Sequence, residues 1–275
     1  MIIPVFVIAL DESQRFLRLK KDLAANGIKF SRIQAIEGKS LTIASIHEKV
    51  NLKSCMSRMG VKISKQLIGC ALSHKKVYEQ FLTQSSNWAL ILEEDVRLGD
   101  DFHQVISDIE DGLRFQGPTI VQLFTRGERF VSRKEFSDLE SNYQFFKFSS
   151  TPGQAAAYLI NREAASLALT YPKIDGPSDW PNWSARVAFM GVFPFCVSEN
   201  GDESSIGSTG ITTFRYRMRV LEVVLGIHYF RYMKMYPSAS AYFKINVKPI
   251  FNRLIWRLHG QPTHPKNDMS GLWLV

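Results

Sequence analysis

VFVIALDESQRFLRLKKDLAANGIKFSRIQA, residues 5–35, changes its hydrophobic period twice. Val5 to Leu10 is a short, β-rich apolar run, and Asp11, Glu12 or Ser13 can cap the next element. Phe16, Leu19 and Leu23 then recur at helical spacing, with Gly27 placed to end the helix. Ile28 to Ala35 reads as a second strand. Strand, helix and strand within about 35 residues make the parallel crossover unit of nucleotide-binding α/β folds, whose ligands bind beyond the carboxyl ends of the strands.

Outward from that unit, residues 40–66 are polar and basic and hold one or two short helices. Leu67, Ile68, Ala71, Leu72, Tyr78, Phe81 and Leu82 form the apolar face of a helix that fades near Ser85 and Ser86. Trp88 to Leu92 reads as a buried central strand, and Ile120 to Phe124 as another. Gly127 to Ser141 is a charged excursion expected as a surface loop or flap. The small-residue run Gln154 to Ala157 leads into a strand at Tyr158 to Ile160 and a helix at Arg162 to Leu169. Asp175 to Trp183 is a turn-rich loop, Phe193 to Val197 the last strand, and Glu199 to Gly210 a polar connector. The expected organisation is an α/β catalytic domain over 1–210, followed by a basic, mainly helical segment over 211–275.

A chain of 275 residues that is 45% hydrophobic and 22% charged can bury a full core, which excludes a disordered protein. Cys55, Cys70 and Cys196 are an odd count without C-x-x-C spacing, so they predict a reducing cytoplasm and no disulfide framework or zinc site. Met1 to Leu10 lacks a basic leader and stops at Asp11, too short for a signal or a membrane span. Glu222, His228, Arg231 and Lys234 interrupt the best later candidate, so the expectation is a soluble or at most peripheral protein. Between Arg215 and Arg257 nine basic residues face Glu222 alone, so this segment carries the whole formal charge of +8.

Glu93, Glu94 and Asp95 follow the Trp88 strand directly, at the end where open α/β sheets place their crevice. Alternate residues of a strand face the same side, so Glu93 and Asp95 would point together about 6–7 Å apart and repel by roughly 2–3 kcal/mol at an effective dielectric near 20. A divalent cation removes that cost, and hard carboxylate oxygens suit Mg²⁺ or Mn²⁺ bridging substrate phosphates. A solvated acidic turn is the competing reading.

The motifs around these acids narrow the choice. VFVIALDESQR with GIKFSRIQAIEG, then IGCALSH, ALILEEDV and GQAAAYLINR, run in order through residues 3–207 and together resemble glycosyltransferase family 25. That family contains bacterial lipooligosaccharide galactosyltransferases and relatives of collagen galactosyltransferases. The resemblance implies a GT-A type fold with a Rossmann-like mixed sheet, a UDP-sugar donor with UDP-galactose commonest, inversion at the sugar, and an acidic motif equivalent to D-x-D.

Matched residue by residue, Glu93, Glu94 and Asp95 stand for the family's Glu-Asp-Asp, with glutamate replacing the middle aspartate. Asp95 and Glu93 are the expected metal ligands, and Glu94 is tolerable if it points away from them. Arg15 matches the family's arginine and would contact the uracil or diphosphate, its alternative being an exposed helix arginine. Leu10, Asp11, Ala35 and Gly38 border the same crevice by chain position, Gly38 allowing close backbone approach to a ligand. Gly69, Ser73 and His74 match G-C-x-x-S-H, and Ser73 and His74 are expected to shape or contact the donor site. Asp179 matches a P-x-D setting and is the expected general base, with Asp175 and Glu203 as alternates and Glu203 counted on the acceptor side. Trp180 and Trp183 would stack on an acceptor sugar or anchor the loop.

The basic residues of 215–257 alternate with aromatics, a composition that suits an anionic bilayer surface. The expected place is therefore the inner face of a bacterial cytoplasmic membrane, with a lipid-linked glycan of the lipopolysaccharide type as acceptor. Two rival readings use the same features. A metal-dependent hydrolase or nuclease would need further ligands converging on the acids, and a nucleic-acid-binding protein would need a recognition motif that is absent from the sequence.

Overall fold

Ser13 fixes the start of the first crossover: its hydroxyl accepts the Phe16 amide at 3.0 Å, and Phe16, Leu19 and Leu23 turn inward from the helix it caps. The computed structural model describes residues 3–59, 63–125, 129–139, 142–148, 151–178, 182–199 and 272–274. In chain order the elements are β1 (Val5–Ala9), α1 (Gln14–Ala25), β2 (Ser31–Gln34), α2 (Ile43–Lys49), α3 (Leu52–Met59), α4 (Lys65–Leu82) and β3 (Trp88–Glu93). There follow β4 (Val96–Leu98), α5 (Phe102–Gly112), β5 (Thr119–Gln122), β6 (Arg129–Asp138), β7 (Gln144–Phe148) and β8 (Ala157–Asn161). Then come α6 (Arg162–Leu169), β9 (Ala188–Phe193), β10 (Val197–Glu199) and β11 (Leu272–Leu274).

Nine of these strands form one mixed sheet in the order β11-β6-β7-β9-β5-β8-β3-β1-β2, and β10 pairs with β4 in a small second sheet. β1 lies parallel to both β2 and β3, so these three strands end at one edge of the sheet; β8 runs antiparallel beside β3. The α/β class and the Rossmann-like mixed sheet with flanking helices are as the sequence predicts.

The core has two layers because β1 is buried on both faces. Val5, Val7 and Ala9 pack with Leu90, Leu92 and the apolar sides of α1 and α5, among them Leu19 and Ile106. Phe6 and Ile8 pack on the other side with Ile91, Tyr158 and the inward faces of α4 and α6, among them Phe81 and Ala164. Burial on both faces is why the strand reads as a continuous apolar run instead of alternating.

Several expectations are corrected. Residues 129–138, within the expected surface flap, form strand β6, which lies beside the edge of the main sheet; charge outweighed the pleat signal there. The expected last strand, Phe193 to Val197, is split: β9 stops at Phe193 and β10 starts at Val197, with Pro194, which has no amide hydrogen to give the ladder, between them. Leu272–Leu274 add a short strand, parallel to β6, to the segment expected to be mainly helical, without contradicting that expectation. Residues 200–210 of the polar connector and 211–271 of that segment lie outside the described residues.

Candidate active site

The carboxyl ends of β1, β2 and β3 enclose a cavity of about 170 Å³, far above the ~10–15 Å³ that one water occupies. Leu10 lines it just beyond β1, Ala35 just beyond β2, and Glu93, Glu94 and Asp95 at the end of β3. Arg15 from α1 and Gly38 and Ser73 on the α4 side are the other expected residues that line it. Ile36, Glu37, Lys39, Gln66 and Cys70 also line it and were not anticipated. The signal for Cys70 and Gln66 lay in the helix itself, one turn or two before Ser73 on the same side.

Two glycines close this wall. A Cβ on Gly38 would stand 2.3 Å from the Lys65 carbonyl oxygen, and one on Gly69 would stand 2.4 Å from the Ile36 carbonyl oxygen. Gly38 lines the cavity as expected, and its missing Cβ also permits a close approach to the α4 backbone. Ser73 completes the joint, its buried hydroxyl donating to the Gly69 carbonyl and accepting the Ile36 amide, both at 2.8 Å.

The strand does not carry its alternation through the acids. β3 ends at Glu93, and Glu94 and Asp95 form the turn into β4, so all three carboxylates line one cavity. Glu94 thus lines the cavity with Glu93 and Asp95, and its Oε2 accepts a 2.8 Å bond from the Ser13 hydroxyl. Both hydrogen bonds to the Glu93 side chain fall on Oε1, from His74 Nε2 at 2.8 Å and the Cys70 thiol at 3.6 Å. Asp95 Oδ1 is buried without a hydrogen-bond partner. Burial first, then the neighbouring Glu93 charge, lift the Asp95 carboxyl from 3.8 to about 6, while Arg15 opposes the rise.

An orphaned carboxylate oxygen beside two further acids is the arrangement a hard divalent cation relieves. Asp95, Glu93 and Glu94 offer only oxygens towards it, so the residues present fit Mg²⁺ or Mn²⁺. Cys70, His74 and Glu93 also bring one ligand-type atom each within 4.8 Å of one another, but there His74 and Glu93 are already bonded to each other.

The remaining expected residues separate. Asp11 does not line the cavity; its carboxylate is solvent-exposed, 3.9 Å from Arg32. His74 is 2% exposed and lies behind the cavity wall, where it holds Glu93. Trp183 is buried in the core, edge-on to Tyr78 with ring centroids 6.2 Å apart, and the adjoining cavity of about 30 Å³ is too small for a sugar. It is a packing anchor and not a stacking platform. Asp175 is buried beside that smaller cavity. Asp179, Trp180, Glu203 and residues 215–257 lie outside the described residues, although Ser178 Oγ lies 3.2 Å from Cys70 Sγ.

The profile of glycosyltransferase family 25 (LPS biosynthesis protein) matches residues 2–179. No curated protein matches the chain. Among solved structures, a glycosyltransferase involved in glycosylation of the major capsid of PBCV-1 aligns at 9% identity and TM-score 0.31, over 61% of this chain and 64% of that one. The chain thus spans less than two thirds of that structure's length. A putative glucose-1-phosphate thymidylyltransferase from Bacillus anthracis, in complex with a sucrose, aligns at 10% identity and TM-score 0.37, over 77% of this chain and 94% of that one.

Proposed function

The chain belongs to glycosyltransferase family 25, and from that membership we propose that it transfers a hexose, galactose first among candidates, from a UDP-sugar to a lipid-linked glycan of the lipopolysaccharide core. The observation that carries the donor half is the cavity at the ends of β1, β2 and β3, where Asp95 Oδ1 is buried without a partner beside Glu93 and Glu94. Asp95, Glu93 and Glu94 would hold Mn²⁺ or Mg²⁺, which when bound neutralises the charge that gathers on the departing diphosphate.

The other groups act around that centre. Arg15, on the cavity wall, offers a planar fork of donors to phosphate or uracil oxygens. Leu10, Ala35 and Ile36 give the apolar edge against which a base or sugar ring packs. Asp179 is assigned as the base that takes the acceptor hydroxyl's proton, with inversion at the sugar; the support is its P-S-D setting and the proximity of its neighbour Ser178 to Cys70. Trp180 and Glu203 are assigned to the acceptor side.

The catalytic unit is proposed to span 1–210, with the basic, aromatic stretch 215–257 resting on the anionic inner face of the cytoplasmic membrane. No helix among the described residues is long and apolar enough to cross a membrane.

Calorimetric titration of the full chain with UDP-galactose and UDP-glucose, with Mn²⁺ and with chelator, tests the donor half. Saturable binding that needs the cation and is lost in Asp95→Asn is the expected result. Cation-independent binding, or none with any UDP-sugar, overturns it. Asp179→Asn should bind donor normally and release no UDP in the presence of acceptor.

A further inference from the structure

Behind the cavity runs an unbroken chain of buried polar groups. Glu93 Oε1 meets His74 Nε2 at 2.8 Å, His74 Nδ1 meets the Tyr158 hydroxyl at 2.8 Å, and that hydroxyl meets Tyr78 at 2.9 Å. His74, Tyr158 and Tyr78 are 2%, 0% and 4% exposed, so the inner part of this chain is shielded from bulk solvent. The imidazole is held flat against the Tyr158 ring, with centroids 5.8 Å apart and planes at 24°.

With Glu93 taken as a carboxylate and His74 as a neutral imidazole, the chain has one self-consistent direction. An ionised carboxylate only accepts, so Nε2 carries the imidazole proton and donates it to Glu93. Nδ1 is then bare and accepts from the Tyr158 hydroxyl, whose oxygen in turn accepts from Tyr78. Burial raises both phenols above their ordinary range, which keeps them as O–H donors. Every proton has an acceptor along the chain.

We infer that His74 is a positioning residue for the donor site, locked by Tyr158 and Tyr78 in its Nε2–H form so that it holds Glu93 Oε1 and leaves Oε2 as the oxygen turned to the ligand. The inference rests on the donor reading above, for which Glu93 is a cation ligand. Its physical need is plain: Glu93 and Asp95 repel, and a glutamate free to rotate would swing away from Asp95 and dismantle the site. A bond to the oxygen that faces away from the cation fixes the rotamer before the cation arrives.

Amide side chains separate this role from simple packing, because the amide nitrogen in His74→Gln would stand where Nε2 stands, and that in His74→Asn nearer Nδ1. In full-length protein, His74→Asn should weaken Mn²⁺-dependent UDP binding about 10- to 100-fold, leave the melting temperature close to that of His74→Gln, and His74→Gln should recover most of the loss. Equal losses in two folded variants overturn the inference. A second readout does not depend on the donor: ¹⁵N spectra of histidine-labelled protein, with the His74 signal assigned by its absence in His74→Asn. They should show Nε2–H alone in wild type, and in Tyr158→Phe the same tautomer with its bare Nδ1 resonance shifted by loss of the phenol donor. An Nδ1–H form in wild type, or an Nδ1 resonance unmoved in Tyr158→Phe, overturns it. Failure of wild type to bind UDP with Mn²⁺ counts against the proposed function, and the tautomer spectra still decide the role of His74.

Discussion

A Cβ on Gly69 would stand 2.4 Å from the carbonyl oxygen of Ile36, a contact with backbone and not with a side chain that can turn aside. Gly69→Ala must therefore push α4 away from the 36–38 loop, and α4 carries Cys70, Ser73 and His74. Helix propensity favours alanine by roughly 1 kcal/mol, but forced overpacking costs about 1–3 kcal/mol. The expected result is a melting temperature lower by several degrees together with weakened UDP binding. Gly27→Ala, at φ 64 with nothing within 4 Å of its Cβ, is the comparison: strain on the backbone alone, with donor affinity kept. Thermal melts and calorimetry on both variants decide whether the joint serves the cavity.

Asp95 makes stability depend on pH in a stated direction. Its folded carboxyl is raised from 3.8 to about 6, so the folded chain holds this proton more tightly than the unfolded chain. The cost is absent below about pH 4, grows as pH rises towards 6, and is complete above it, up to about 3 kcal/mol from two pKa units. With chelator present, Asp95→Asn should melt higher than wild type at pH 8, and the two should converge near pH 4. A variant less stable at pH 8 contradicts the burial and repulsion assigned to this group.

Ser13 joins helix capping to the acidic turn, since one hydroxyl accepts the Phe16 amide and donates to Glu94. Ser13→Ala should lose about 1 kcal/mol of cap, or roughly 2–4 °C in a domain of this size, and should also loosen Glu94 and weaken cation-dependent UDP binding. Ser64 caps α4 through the Leu67 amide at 3.3 Å without a bond to any acid among the described residues. Ser64→Ala should show the thermal loss alone. If both variants lose donor affinity equally, the Ser13 to Glu94 bond has no part in the site.

These relationships differ in how far they could be read from the chain. β1, α1 and β2 were legible because Ser13 caps a clean apolar face between the fully buried β1 and the edge strand β2, where Ile33 is the buried residue. The acids were legible because the end of a central strand parallel to β1 is where such folds bind ligands, whereas the turn at Glu94 and Asp95 that ends the pleat is a property of the β3–β4 junction. α5 was within reach, since Phe102, Val105, Ile106 and Ile109 keep helical spacing, but Asp101 makes no capping bond to announce its start. β6 was not, because its charges outnumber its pleat signal. The His74 to Tyr158 contact joins residues 84 apart in sequence across two elements, and no linear spacing encodes it.

The proposed membrane contact of residues 215–257 is best tested without truncation, because β11 at Leu272–Leu274 pairs with β6 and any chain ending near residue 210 loses that strand as well as the basic stretch. Replacing Lys234, Lys244 and Lys248 by glutamine keeps the chain whole and removes three of its nine positive charges. Each cation near an anionic bilayer contributes about 1 kcal/mol, so three together are worth about 3 kcal/mol, on the order of a hundredfold in affinity. Sedimentation with vesicles rich in phosphatidylserine or phosphatidylglycerol should show that loss, and added salt should produce it in wild type. Neutral vesicles should bind both proteins weakly and alike. If the triple variant holds anionic vesicles as tightly as wild type, the basic stretch serves the fold or the acceptor and not the bilayer.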